Sequence, residues 1–220
     1  MSKEDVKWPA EILRDEAIAE SVKYIKKLKY KPILYLDGWW IETCNQINTK
    51  GLCLEFGVFE GESINYFSDK FKDRIWYGFD NFEGLQENWS GGYHGKGWFS
   101  KQGQIPVVNK NVKIIKGWFK NTLPTFFKKN KEKISFIHID CDTYQSTKDV
   151  LDNINPKLLQ KNTLILLDEY ISYWGWKENV FKAWKEYVNK HNIKYKYVLF
   201  GKGQGLVRII NGFEVNFNDG

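Results

Sequence analysis

The sequence predicts an α/β protein with a doubly wound, mostly parallel sheet, helices ahead of it and an antiparallel hairpin at its C-terminal edge. Three observations carry this. From Gly51 onward, short runs rich in apolar and β-branched residues (LCLEFG, IWYGFD, VKIIKG, SFIHID, TLILLD) alternate with segments such as SINYFSDKF, TLPTFFKKN and TKDVLDNINPKLL that read as helices. Such alternation gives parallel strands covered on both faces. Near the end, YKYVLFG and GLVRII are separated only by the turn-like GKGQ, which reads as a hairpin and so as antiparallel pairing. Before Gly51 the spacing is helical instead.

After Pro9, the segment AEILRDEAIAESVKYIKKL places Ile12, Ile18, Val22, Ile25 and Leu28 on one helical face, with acids early and lysines late to suit the helix dipole. A second helix is expected around GWWIETCNQIN, after Pro32. The 220 residues, 42% of them hydrophobic, suffice for one sizeable core. The expected organisation is therefore one domain over 1–220, with 1–50 as a helical extension and 51–220 as the α/β core. Within it, residues 81–111 form a glycine- and aromatic-rich stretch without sustained period. A loop that long inside a compact domain is usually functional, and it reads as a lid.

The net charge of +6 is dispersed and forms no long Lys/Arg block, which argues against a nucleic-acid partner. No apolar run approaches the ~20 residues of a membrane span. Cys44, Cys53 and Cys141 are odd in number and lack CxxC spacing, so a reducing, cytoplasmic setting is expected.

Two kinds of strand ending point to chemistry. LCLEFGVFEGESINYF runs from an apolar strand through Glu55, Gly57 and Gly61 to Ser63 at the opening of a helix. Glycines there permit a tight turn and close approach of backbone to a ligand. The two glycines stand four apart, which departs from the GxGxxG fingerprint and disfavours a phosphate cradle. About 25 residues on, IWYGFD ends in Asp80, where an α/β nucleoside site places an acid on the ribose hydroxyls. The second kind is acidic: SFIHID ends in Asp140, and TLILLD ends in Asp168 followed by Glu169. If these strands are neighbours, three carboxylates converge and repel unless a cation compensates them, and a hard divalent ion such as Mg²⁺ suits oxygen ligands. Asp142, followed by TYQST, reads as the N-cap of the next helix.

EFGVFEGESINYF, GFDNFEGL, GWFKNTLP, FIHIDCDTYQST and LDEY, in that order over roughly residues 51 to 185, resemble the macrocin O-methyltransferase family, a branch of the class I S-adenosylmethionine-dependent methyltransferases. The resemblance implies a seven-stranded sheet and methyl transfer to a hydroxyl of a sugar-like or other small acceptor. It also implies that Glu55, Gly57 and Gly61, with Ser63 and Asp140 nearby, surround the methionine part of the cofactor, that Asp80 meets the ribose, and that Phe82 and Trp118 contact adenine. A magnesium ion would sit on Asp140, Asp168 and Glu169, the last replacing the more familiar Asp of the family's acidic pair.

For catalysis, Asp140 and Asp168 would activate the acceptor through the ion, with His94 of the glycine-rich loop as a helper. His138 reads as a structural strand residue, and His191 as a surface one. Acceptor choice is expected in residues 82–110 and in YISYWGWKEN, while the N-terminal helices suit a homo-oligomer contact or a lid. The contrasting readings are a noncatalytic binding or assembly protein that keeps the fold, and a nicotinamide-dependent enzyme, which the missing third glycine disfavours.

Overall fold

A computed structural model describes residues 7–211. The strands are β1 (Ile33–Leu34), β2 (Leu52–Phe56), β3 (Trp76–Asp80), β4 (Val112–Lys116), β5 (Ile134–Ile139), β6 (Leu159–Leu167), β7 (Tyr195–Gly201) and β8 (Gln204–Ile209). They form one eight-stranded sheet in the order β1-β7-β8-β6-β5-β2-β3-β4. Pairing is parallel from β4 through β6, whereas β8 runs antiparallel to both β6 and β7. The expected hairpin is present, turned by Lys202 and Gly203 with Gly203 at φ 88°. One strand exceeds the expected seven: Ile33 and Leu34 pair in parallel with Leu199 and Phe200, extending the sheet past the hairpin. A two-residue edge strand after Pro32 carries too little periodic signal to be read from sequence.

The helices are α1 (Pro9–Lys26), α2 (Trp39–Gln46), α3 (Glu62–Lys70), α4 (Phe119–Lys129), α5 (Tyr144–Asn153) and α6 (Val180–Lys190). Strand side chains alternate between faces, so Leu54, Phe56, Ile137 and Ile139 meet Leu123, Val150 and Trp184 of α4, α5 and α6. On the opposite face Cys53, Phe136 and Trp76 meet Ile64 and Phe67 of α3. Phe67 touches the rings of Trp76, Phe136 and His138, and truncating such a buried aromatic costs about 3–5 kcal/mol.

Helix α1 departs from its expected face. Ile12, Ile18 and Val22 are exposed, while Ala17 and Ser21 are buried. Small residues let the helix approach the loop after β6, where Ser21 Oγ accepts the Ser172 N–H at 2.9 Å and donates to the Ala17 carbonyl. Tyr24 anchors its far end through a 2.6 Å hydroxyl contact with Tyr197. Helix α6 was not among the expected elements; Val180, Ala183, Trp184, Tyr187 and Val188 form its buried stripe.

Candidate active site

The carboxyl ends of β2, β3, β5 and β6 lie along one sheet edge, which brings Gly57, Asp80, Asp140 and Asp168 to a common side. A cavity of about 410 Å³ opens there. Gly57 lies at φ 92°, and a Cβ on it would stand 1.7 Å from the Asp140 carbonyl oxygen, so only glycine lets the first loop cross the end of β5.

The first-half acids are held by the chain itself. Asp80 lines the cavity, but its Oδ2 accepts the backbone N–H groups of Val58 and Phe59 at 2.8 and 2.9 Å, and its Oδ1 accepts that of Phe82 at 2.7 Å. Three of roughly four acceptor directions are thus taken. Glu55 is fully buried: Ser63 Oγ donates to its Oε1 at 3.0 Å, and its Oε2 lies 3.0 Å from His138 Nδ1. Gly61, at φ 82°, is the N-cap of α3. Glu55, Gly61 and Ser63 stand behind the cavity wall, which Gly57 and Phe59 supply. Phe82 is 1% exposed and packs into the core beside Val58 and Ile64, and Trp118 is the N-cap of α4. The rings that line the cavity in this region are Phe59, Phe99 and Phe119.

The second-half acids converge without such compensation. Asp140, Asp142 and Glu169 line the cavity. Desolvation, followed by the charges of Asp168 and Asp142, pushes the Asp140 carboxyl well above the ordinary range. Burial and the neighbouring Asp168, Glu169 and Asp80 push Asp142 up to about 8, and burial with Asp168 pushes Glu169 up to about 7. Asp142 does not cap α5. Thr143 is the N-cap, its Oγ1 accepting the Ser146 N–H, while Asp142 sits one residue earlier at φ 59° with its carboxyl turned to the cavity. Among the described residues, the group whose ligand atoms all lie within 4.8 Å of one another is His138, Asp140 and Asp168. Glu169, on a left-handed turn at φ 44°, stands outside that group. His138, which the sequence reads as a structural strand residue, is fully buried against Glu55 and shares the face of Asp140 two residues on.

Two aromatic segments roof the cavity. Residues 82–100 fold back on themselves through Leu85 N–H to Trp98 O and Gly97 N–H to Leu85 O bonds. They join the segment after β6 through Asn179, whose side-chain amide donates to Ser90 O at 2.7 Å, Tyr173 OH at 2.9 Å and Gly175 O at 3.3 Å. Trp89 and Tyr173 meet edge to face. His94 lines the cavity, stacks on Trp98 at 4.6 Å, and its buried Nδ1 has no hydrogen-bond partner among the described residues. A strap ties this roof to the first loop: Lys101 pairs with Glu60 at 2.8 Å, and Phe99 meets Phe59 edge to face. His191 lies at the C-cap of α6, against Tyr187.

The strand order, with its single antiparallel strand between β6 and β7, defines the class I methyltransferase fold. Calicheamicin methyltransferase CalS11 superposes with a TM-score of 0.61 at 17% identity, covering 92% of this chain and 94% of that one. The O-methyltransferase NovP gives 0.57 at 21% identity, with 78% and 79% covered. The macrocin-O-methyltransferase (TylF) family model matches residues 99–198 of this chain. A tetracenomycin-C rhamnosyl 4'-O-methyltransferase of Streptomyces olivaceus is 33% identical over 64 residues, 29% of this chain. Demethyldecarbamoylnovobiocin O-methyltransferase of Streptomyces niveus is 32% identical over 65 residues. Each of these alignments spans 23% of the curated relative's length. Among the described residues no helix is long and apolar enough to cross a membrane.

Proposed function

We propose that this chain is an S-adenosylmethionine-dependent O-methyltransferase acting on a hydroxyl of a sugar-like or other small-molecule acceptor, assisted by a divalent cation. The observation that carries the reading is the cavity at the sheet's carboxyl edge, where the Gly57 loop faces a cluster of uncompensated carboxylates under an aromatic roof. Fold and family likeness favour methyl transfer, and the relatives it resembles are named for O-methylation of small molecules.

The donor set suits a divalent cation. Asp140 and Asp168 would hold it, and Glu169 lines the cavity wall. S-adenosylmethionine supplies an electrophilic methyl group, and the cation supplies positive charge against the acceptor oxygen. The rest falls to the chain. Asp142, facing the cavity beside the cation site, takes the acceptor hydroxyl's proton. Gly57 and Phe59 let the cofactor approach the strand ends, and Asp80 fixes that loop by holding Val58 and Phe59. Trp89, Tyr173 and His94 exclude water and orient the acceptor ring, since positioning supplies much of the acceleration in such transfers. Four carboxylates in the wall (Asp80, Asp140, Asp142 and Glu169) disfavour an anionic acceptor and suit a neutral or cationic one.

Calorimetric titration with S-adenosylhomocysteine tests the reading directly. Saturable one-to-one binding is expected; its absence, for a folded protein, refutes methyl transfer as the activity.

A further inference from the structure

Among the described residues, His138 has an unpartnered buried ring nitrogen and stands beside the acidic pair. It is fully buried in the middle of β5 and belongs to a strand otherwise made of Ile, Ser and Phe. Its Nδ1 is engaged by Glu55 Oε2 at 3.0 Å, and Glu55 is itself fixed by Ser63. Its Nε2 is buried, has no hydrogen-bond partner among the described residues, and lies 4.0 Å from Asp140 Oδ2. An imidazole whose Nδ1 carries the proton toward a carboxylate presents a bare lone pair at Nε2. Leaving such a group buried and unpaired is unfavourable, because its desolvation is not repaid. Carboxylate, imidazole and cation in series is the arrangement by which an acid bonded to the other ring nitrogen orients a metal-binding histidine.

We propose that His138 is an inner-sphere nitrogen ligand, so that the cation site is His138 Nε2, Asp140 and Asp168 with Glu55 as the orienting carboxylate. The inference rests on the cation of the preceding section and changes its character. An imidazole is a poor ligand for Mg²⁺ and a good one for Mn²⁺, Co²⁺ or Zn²⁺. The site therefore prefers a first-row transition ion to Mg²⁺ when both are offered. Glu169, outside the tight group, is left free to contact the acceptor or a bound water.

The probe is Mn²⁺ alone, added to the full chain and read by pulsed electron paramagnetic resonance. The chain has three histidines, so a His94→Gln/His191→Gln double variant leaves His138 as the sole imidazole. Directly coordinated imidazole ¹⁴N modulation is expected in the wild type and in the double variant, and it should change to the ¹⁵N pattern on labelling with ¹⁵N-histidine. Glu55→Gln should weaken Mn²⁺ binding about 10- to 100-fold. Saturable Mn²⁺ binding without imidazole coupling in the double variant overturns the assignment of His138 and leaves the acidic cation site standing. No saturable binding of Mn²⁺ to the folded protein overturns both, while leaving the S-adenosylhomocysteine titration to decide methyl transfer separately.

Discussion

Acids end strands in both halves of the sheet, and the two halves treat them differently. Asp80 at the end of β3 is met by three backbone N–H groups, and Glu55 in β2 by Ser63 and His138. Asp140, Asp142, Asp168 and Glu169, at the ends of β5 and β6, meet mainly one another, and Asp140, Asp142 and Glu169 are driven toward protonation. The same residue type at equivalent topological positions thus serves as architecture in one half and forms a mutually repelling cluster in the other. What separates them is whether the adjoining loop turns its N–H groups inward.

That contrast can be broken at four points, from the largest expected effect to the smallest. Replacing Asp168 with Asn should abolish divalent-dependent turnover, by roughly 10³-fold or more, while urea denaturation and S-adenosylhomocysteine binding stay near wild type. A variant that keeps full activity in excess chelator would end the functional side of the comparison. Asp142→Asn removes the proposed proton acceptor and should lower kcat by about 10²- to 10⁴-fold with KM little changed. Equal losses in kcat and in acceptor affinity would instead mark Asp142 as a binding residue. Asp80→Asn probes the architectural side: losing charge-assisted acceptance from the Val58, Phe59 and Phe82 N–H groups should cost about 1–3 kcal/mol in urea unfolding.

The smallest effect is a pH dependence of stability. Asp142 and Glu169 are raised in the fold to about 8 and about 7, above their ordinary values of 3.8 and 4.5. Between those limits the folded state binds more protons than the unfolded one, so stability from these groups is greatest below pH 4 and declines as pH rises toward 8. Without divalent cation, Asp142→Asn should therefore gain on wild type as pH rises through that window. Added cation should cancel the gain, and chemical denaturation at several pH values measures both.

Much of this was legible before any coordinates. The five parallel strands and the hairpin follow from runs such as SFIHID and TLILLD, because a strand buried on both faces must be apolar nearly throughout. The neighbouring β5 and β6 brought Asp140 and Asp168 together as the strand endings implied. Helix α6 was equally readable from Val180, Ala183, Trp184 and Tyr187, and was missed because its tryptophan-rich approach looked like loop. Other features lay beyond one sequence. Helix α1 buries Ala17 and Ser21 against the Ser172 backbone, and of its expected aliphatic stripe only Ile25 and Leu28 pack on the core. The capping role fell to Thr143, since a hydroxyl at that position reaches the Ser146 N–H while Asp142 occupies a left-handed turn. Nothing in the spacing reveals that the amide groups around Asp80 face inward or that His138 Nε2 lacks a partner, because both depend on side-chain direction across separate elements.

The Asn179 amide that holds Ser90, Tyr173 and Gly175 has a consequence for redesign. Two stretches separated by some seventy residues of chain meet at that side chain, at the Trp89–Tyr173 ring pair and at the Ser90–Glu178 hydrogen bond, so they form one unit in space but two in the gene. A chimera that imports only one of them from a relative severs the fork and should lose acceptor selection along with the graft. Exchanging both together, with Asn179 retained, should keep the roof of the cavity joined.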